Sequence, residues 1–274
     1  MLKKLSIVKQ LPIATATVGL MMFAGTAQAI TISVFDNSSF VDTTGGFRSE
    51  SDTIQATLTS LGYTVTTFTG ITEANFTAAG AADVILIPEL ERGNLASVLS
   101  TSAKTAISDY VSSGGGFVTM ETGDFRSNNL VNDIFGYSLT GSFVGLSPTS
   151  TKNSTAASGT AFAEDPDFLP SPSTTYGVNT SSLSETALSI YEIGTRSTVW
   201  VDSFGSGRVA GLGWDWFNAV PLGSVDGGWP TVLDSALTEV SDTVSTPEPV
   251  SLFALFGVGA LGATSLKRNQ KKEV

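Results

Sequence analysis

Residues 82–90 have the sequence ADVILIPEL, in which an unbroken apolar run is bounded by acidic residues. A continuous apolar run of this length is typical of a strand that is buried on both faces. Such strands occur mainly in parallel sheets, because the helices that connect parallel strands cover both faces of the sheet. Residues 82–90 therefore predict a central strand of an α/β domain.

The segments around this strand alternate between strand and helix patterns. The helix that follows it is closed by Gly114, Gly115 and Gly116, and glycine commonly ends a helix. Strands are predicted over residues 30–35, 63–69, 82–90 and 117–120, and helices over residues 47–61, 72–79, 95–111 and around 130–135. Because crossovers between parallel strands are right-handed, this order predicts a doubly wound, mainly parallel sheet with helices on both faces.

The second half of the chain has a different composition. A stretch rich in Ser, Thr, Pro and Gly predicts a β-rich insertion at one edge of the sheet, over about residues 141–185. Strands are then predicted over residues 187–193, 198–204 and 208–212, with a hairpin turn at Gly205-Ser206-Gly207, and a last helix over about 230–240. The predicted α/β domain therefore covers residues 30–241.

The first 29 residues have the pattern of a secretory signal peptide. A start with three lysines precedes an apolar stretch, residues 11–25, and Ala27 and Ala29 match an A-x-A cleavage site. This pattern predicts export, with the export machinery and signal peptidase as partners.

The last 25 residues predict a membrane segment. Residues 250–266 carry no charge, and a helix rising about 1.5 Å per residue just spans the hydrocarbon core over that length. The basic residues of the tail, 267–274, favour the cytoplasmic side of the membrane. A transmembrane helix is thus predicted after a spacer, residues 242–249.

This end of the chain resembles the PEP-CTERM sorting signal of bacterial exported proteins. The resemblance rests on Pro247-Glu248-Pro249, the apolar segment and Lys267-Arg268. It implies that an exosortase-type transpeptidase in the membrane removes the tail, so that the mature protein reaches the cell envelope, the cell surface or the extracellular matrix. If the tail stays uncleaved, the chain is a single-pass, membrane-anchored surface protein.

The composition excludes several classes of function. The chain contains no Cys and no His, which excludes disulfides, His-dependent catalytic triads and zinc sites with His or Cys ligands. Its 25 acidic and 14 basic residues give a formal charge of −11, which disfavours nucleic acid as a partner. No cofactor is predicted, and the remaining chemistry is that of carboxylates, hydroxyls, amines and guanidinium groups.

The body of the chain resembles the class I glutamine amidotransferase-like fold, which is flavodoxin-like. The similar parts are ADVILIPEL, GGGFVTMETGDFRSNNLVNDIFGY and VWVDSFGSGRVAGLGWDWFN. In catalytic members of this fold, a sharp turn after a strand holds a Cys two residues before a Gly, and a distant His-Glu pair activates the Cys. Here Glu121 has that position before Gly123. The resemblance therefore implies a fold without amidotransferase activity.

Three carboxylates are candidates for another chemistry. Glu89, Glu121 and Asp124 follow neighbouring predicted strands, and ligands of open α/β sheets bind at the carboxyl ends of the strands. Paired carboxylates can hydrolyse glycosides, but acids at such positions also commonly cap the next helix. Arg92 and Arg126 are placed either to neutralise these acids or to bind an anionic ligand.

Two further sites have alternative interpretations. Four aromatic side chains would either stack on sugar rings at the sheet edge or pack in the core or under a covering loop: Trp214, Trp216, Phe217 and Trp229. The acidic turn of residues 164–167 would either bind Ca²⁺ through oxygen atoms or be solvated, and it lacks the ligand spacing of an EF-hand. No residue is assigned to any other metal site.

These observations leave three hypotheses for the function. The first is an exported, noncatalytic binding or extracellular-matrix protein, and extracellular polysaccharide is a candidate ligand. The second is a carboxylate-dependent extracellular hydrolase that acts on polysaccharide. The third is an uncleaved surface protein that stays anchored by its C-terminal helix.

Overall fold

The structure, a computed structural model, describes residues 30–242. The predicted signal peptide with its cleavage site, the PEP motif, the transmembrane helix and the basic tail lie outside the described residues. Within the described range, no helix combines the length and the apolar character that crossing a bilayer requires.

The described chain folds into strands and helices that alternate in its first half. The strands are β1 Thr31–Phe35, β2 Thr64–Phe68, β3 Val84–Ile87, β4 Gly116–Met120, β5 Gly141–Leu146, β6 Thr149–Lys152, β7 Phe168–Pro170, β8 Thr174–Asn179, β9 Leu188–Ile193, β10 Arg196–Phe204 and β11 Gly207–Leu212. The helices are α1 Glu50–Ser60, α2 Glu73–Ala79, α3 Thr101–Ser112, α4 Arg126–Phe135, α5 Ser154–Ala157 and α6 Trp229–Ser241.

All of these strands belong to one sheet. Its main order is β2-β1-β3-β4-β11-β10-β9-β6-β7, and β8 pairs with both β10 and β5. The neighbours from β2 to β11 are parallel, and every pair beyond β11 is antiparallel. The strands within residues 141–185 extend the sheet on the side of β10 and β9.

The parallel part of the predicted sheet is therefore confined to the strands of the first half of the chain and β11, and the second half otherwise contributes antiparallel strands. A parallel neighbour requires a crossover of a dozen residues or more, whereas an antiparallel neighbour needs only a tight turn. β10 and β11 are joined by Gly205 and Ser206 alone, with Gly205 at a φ of 62°. The molecule is thus a mixed α/β protein with a parallel and an antiparallel half.

Side-chain caps start three helices of the parallel half. Ser49 caps α1, Thr72 forms a capping box with Asn75 at α2, and Ser100 caps α3. Each cap oxygen accepts a hydrogen bond from a backbone N–H of the first turn, which has no partner within the helix. The caps determine where these helices begin beside the ends of the strands.

The parallel strands separate two apolar cores. Ile32 and Val34 of β1 face α1 and α6, whereas Phe35 lies with the residues that α2, α3 and α4 bury. Because successive side chains of a strand point to opposite faces, one strand serves both cores. Helices therefore cover both faces of this part of the sheet, as the sequence predicts.

The end of β11 comes very close to β8. Gly213 accepts a hydrogen bond from the backbone N–H of Tyr176 at 2.6 Å, and its own N–H donates to the carbonyl of Thr198 at 2.8 Å. A Cβ atom on Gly213 would lie 2.0 Å from the carbonyl oxygen of Tyr176. Only glycine fits here without moving the backbone.

We expect Gly213→Ala to lower the free energy of unfolding by about 2–3 kcal/mol, since overpacking against rigid backbone forces a shift. Gly145→Ala is the matched control, because its new methyl group would meet nothing closer than 3.7 Å. Urea denaturation measures both variants. Equal midpoints for the two variants would contradict the close approach.

Candidate functional site

The strands β1, β3, β4 and β11 end at the same edge of the sheet, called here the carboxyl edge. Open α/β sheets bind ligands outside the carboxyl ends of their strands. The loop after β1 contains Asp42 and leads to Glu50 at the start of α1. The loop after β3 contains Glu89 and Glu91, and Asp215 follows β11.

These five residues, Asp42, Glu50, Glu89, Glu91 and Asp215, form an acidic cluster. Carboxylate oxygens of Asp42, Glu50 and Glu91 all lie within 4.8 Å of one another. Asp215, Glu91 and Glu50 are also the charges that act most strongly on Glu89. The fold thus gathers acids that are far apart in the sequence.

Glu50 is the most unusual member of the acidic cluster. It is the first residue of α1, its side chain is only 3% exposed, and its Oε2 has no hydrogen-bond partner among the described residues. Burial, followed by the charge of Glu91, raises the pKa of Glu50 to about 9. Without a further partner, Glu50 is therefore protonated at neutral pH.

Glu89 is the second buried member of the acidic cluster. It is 3% exposed, and its Oε2 also lacks a hydrogen-bond partner within residues 30–242. Burial, followed by the carboxylate of Asp215, raises the pKa of Glu89 well above its ordinary value. Burial also raises the pKa of Glu91, which is exposed at the mouth of the cluster.

The other two members have partners. Asp42 accepts hydrogen bonds from the backbone N–H of Thr44 at 2.9 Å and from the guanidinium of Arg92 at 2.6 Å. Asp215 accepts from the hydroxyl of Ser173 at 2.7 Å and from the backbone N–H of Phe217 at 2.8 Å. The cluster therefore combines satisfied carboxylates with two buried acids that are not satisfied.

Glu121 does not join this cluster in the way the sequence predicts. It is fully buried, and its Oε1 accepts a hydrogen bond from the indole Nε1 of Trp200 at 3.0 Å. A Cβ atom at Gly211 would lie 2.7 Å from that oxygen, so the glycine provides the space for Glu121. Burial raises the pKa of Glu121 to about 7, and the bond from Trp200 acts in the opposite direction.

Asp124 and Arg126 have a structural role at the start of α4. Asp124 forms an ion pair with Arg126 at 2.6 Å, and Arg126 also donates to the carbonyl of Leu90 at 2.8 Å. The hydroxyl of Thr122 accepts from the backbone N–H groups of Arg126 and Ser127. The turn therefore caps α4, and both predicted ligand-binding arginines, Arg92 and Arg126, are engaged by acids.

The structure places Trp214 and Trp216 in the core. Both side chains are 0% exposed, their rings meet edge to face at 4.8 Å, and Trp214 stacks on Trp229 at 5.6 Å. A ring without exposed surface cannot stack on a sugar at the protein surface. The sugar-stacking interpretation of these two residues is therefore wrong, because β11 leads them under α6 instead of over the edge.

The exposed aromatic residues at the carboxyl edge are phenylalanines. Phe47 lies in the loop after β1, Phe125 follows the turn after β4, and Phe217 follows Asp215. Each ring is partly exposed, with 41% exposure for Phe217. The sequence pattern revealed Phe217 beside the tryptophans but not Phe47 or Phe125, because no local spacing connects the three rings. For the same reason it did not reveal four of the acids, which are Asp42, Glu50, Glu91 and Asp215.

The acidic turn of residues 164–167 surrounds a lysine. The ammonium group of Lys152 donates to the carbonyls of Ala163 and Asp165 and lies 3.4 Å from a carboxylate oxygen of Asp167. Asp165 itself accepts from the hydroxyl of Ser235 at 2.8 Å. Lys152 thus already supplies a cation to the oxygens that were predicted to bind Ca²⁺.

A surface cavity of about 730 Å³ is formed between α2 and α3, with Phe76 and Tyr110 in its lining. No member of the acidic cluster lines it. This cavity and the acidic cluster are therefore separate features of the described surface.

Solved structures with the same fold identify the architecture. A cytoplasmic protein from Salmonella typhimurium LT2 is 14% identical, with a TM-score of 0.53 over 77% of this chain and 98% of that one. A ThuA-like protein from Bacteroides uniformis is 12% identical, with a TM-score of 0.51 over 80% and 95% of the two chains.

A GMP synthase subunit from Thermoplasma acidophilum is 10% identical, with a TM-score of 0.50 over 78% of this chain and 95% of that one. No family model and no curated protein matches the sequence. At these identities the similarity establishes the fold alone, which is the glutamine amidotransferase-like, flavodoxin-like fold.

We expect Glu121→Gln to stabilise the protein at pH 8 by on the order of 1–3 kcal/mol. Because the pKa of Glu121 is raised in the folded protein, its protonated side chain stabilises the fold fully below about pH 4.5. This stabilisation is lost as the pH rises through about 7. Glutamine keeps an oxygen for Trp200 but cannot ionise, so the advantage of the variant shrinks toward pH 4.

Urea denaturation between pH 4 and pH 8 measures this difference. Glu164→Gln, at an exposed position, is the control whose pH profile should run parallel to that of the wild type. A Glu121→Gln profile that also ran parallel to the wild type would show that Glu121 ionises normally in the folded protein.

Proposed function

We propose that this chain is an exported, surface-sorted, noncatalytic binding or extracellular-matrix protein that is processed at a PEP-CTERM tail. The pattern of the two chain ends supports export and sorting. The lack of any Cys or His supports a noncatalytic role for a domain with the amidotransferase-like fold.

The observation that carries the noncatalytic proposal is the state of Glu121. It has the position that the nucleophile takes in catalytic members of the fold, yet it is 2% exposed and bonded to Trp200. The following residues, Thr122 and Asp124, are occupied by the start of α4 and by Arg126. A turn used in this way stabilises the domain, and neither Glu121 nor Asp124 is free to attack a substrate.

The proposed ligand is extracellular polysaccharide. The exposed rings of Phe47, Phe125 and Phe217 offer apolar faces at the carboxyl edge, and such faces pack against the apolar faces of sugar rings. The backbone N–H of Asn218 donates to the carbonyl of Phe47 at 2.7 Å, which holds the loops of Phe47 and Phe217 together.

A second candidate function, polysaccharide hydrolysis, is favoured by one specific observation. The pKa of Glu89 is strongly raised, first by burial and then by the charge of Asp215. Asp215 itself accepts hydrogen bonds from the hydroxyl of Ser173 and the backbone N–H of Phe217. A carboxyl group of raised pKa beside a second carboxyl group is the arrangement that general acid catalysis of glycoside cleavage uses. This candidate uses Glu89 and Asp215 in place of Glu121.

We expect Phe217→Ala to weaken retention on an immobilised polysaccharide about tenfold, which corresponds to the loss of one aromatic contact. Phe168→Ala is the matched control, because Phe168 is 63% exposed but lies in β7 at the far end of the sheet. Affinity electrophoresis over a panel of bacterial exopolysaccharides measures retention, and reducing-end assays on the same panel measure turnover.

Retention without turnover supports the binding protein. Turnover by the wild type that is lost in Glu89→Gln would support the hydrolase instead. Equal retention of Phe217→Ala and Phe168→Ala would contradict the proposed ligand surface.

We expect the mature protein to begin at Ile30 and to end near Pro247-Glu248-Pro249, because signal peptidase and an exosortase-type transpeptidase remove the two ends. Intact mass spectrometry of protein from the native envelope and culture medium measures both ends. Replacing all three residues of the PEP motif with alanine should keep the tail attached. A native protein that retains residues 250–274 would support the membrane-anchored alternative.

A further inference from the structure

Three carboxylates from separate segments converge at the carboxyl edge. Asp42 comes from the loop after β1, Glu50 from the first turn of α1, and Glu91 from the loop after β3. Their oxygens lie within 4.8 Å of one another. Like charges at this distance repel each other, so the arrangement is stable only if protons or a cation neutralise it.

A second observation points to a ligand at the same place. Glu50 is only 3% exposed, it belongs to this group of oxygens, and its Oε2 has no partner among the described residues. Glu89, equally buried behind it, also has an oxygen without a partner there. Buried polar atoms are nearly always bonded, because desolvation without a bond is costly.

The basic residues nearby do not balance the acids. Arg92 forms an ion pair with Asp42, and Arg126 is engaged by Asp124. One guanidinium group thus faces a cluster of five carboxyl groups. Carboxyl oxygens in excess of their basic partners are what a site for a divalent cation provides.

The backbone holds the three carboxylates in place. The hydroxyl of Ser49 donates to the carbonyl of Asp42 at 2.7 Å, which connects the loop after β1 to the start of α1. The backbone N–H of Arg92 donates to the carbonyl of Phe40 at 2.9 Å, which connects that loop to the segment of Glu91. These bonds bring the oxygens together before any ligand binds.

We propose that Asp42, Glu50 and Glu91 bind a divalent cation, Ca²⁺, with Glu89 as an acid behind the site. Oxygen-only ligands favour hard cations, and the chain has no His or Cys that would select a softer metal. Since Ca²⁺ lies about 2.3–2.6 Å from each ligand oxygen, opposite ligands are about 5 Å apart, which agrees with the observed spread.

Bound Ca²⁺ would tie the loop after β1 to the loop after β3. The first of these loops carries Phe47, so the cation would also order one of the exposed rings at the carboxyl edge. This cation site does not depend on export or on polysaccharide binding, and its failure would leave those proposals to their own tests.

The test is titration of the purified full-length protein, in detergent, with Ca²⁺. Isothermal titration calorimetry measures the binding, and thermal unfolding measures the Tm at each Ca²⁺ concentration. We expect one Ca²⁺ per chain and a Tm that rises with Ca²⁺ concentration. Glu91→Gln, at an exposed position, should weaken Ca²⁺ binding at least tenfold without affecting the fold.

Two further variants separate the site from its alternatives. Glu50→Gln should fold and raise the Tm of the Ca²⁺-free protein, because it removes a buried acid, but its Tm should not respond to Ca²⁺. Asp167→Asn, in the turn around Lys152, should bind Ca²⁺ like the wild type.

The proposal is overturned if the wild type shows neither heat nor a Tm shift up to about 10 mM Ca²⁺, which is above the range of extracellular calcium modules. It is also overturned if Glu91→Gln and Glu50→Gln bind as tightly as the wild type, or if Mg²⁺ binds and Ca²⁺ does not. If Asp167→Asn were the only variant that lost Ca²⁺ binding, the cation would bind at the turn of residues 164–167, and the proposal would also be overturned.

Discussion

The parallel pairing of β4 with β11 is the contact on which the rest of the structure depends. It runs from Gly116 beside Arg208 to Met120 beside Leu212, and it continues through the bond from the N–H of Glu121 to the carbonyl of Leu212. It joins the parallel half of the sheet to the antiparallel half. Without it, neither half would bury its inner edge, and the loop after β11 would not reach the ends of β1 and β3.

Acids are distributed unevenly over the domain, and the distribution separates structural from functional roles. At the carboxyl edge, Glu50 and Glu89 are buried with oxygens that lack partners in the described part of the chain. Retaining unpaired acids in a core is costly, so such residues tend to mark sites of binding or catalysis. Three other acids of the described chain are paired with basic residues: Asp124 with Arg126, Asp167 with Lys152, and Glu239 with Arg208.

Local sequence was sufficient for much of the fold. The apolar run of residues 82–90 and the glycines after the next helix predicted buried β3, α3 and β4 close to their observed positions. The hairpin turn before β11 acts over a few residues, which is why it can be recognised without a structure. The pairing of the other strands in the second half was not predictable in this way, because partners such as β5 and β8 are distant in sequence.

The site depended almost entirely on long-range contacts. Glu89, Glu121 and Asp124 were recognised because each follows a strand, but the directions of their side chains follow from packing, and Trp200, 79 residues away, engages Glu121. Asp42, Glu50 and Glu91 carry no spacing signal, since three different segments bring them together. The amino-acid sequence by itself therefore determined most strands and helices, and it excluded chemistry that needs Cys or His. The convergence and burial of the acids were decided only by the tertiary structure, because the sheet brings the ends of distant strands to one edge.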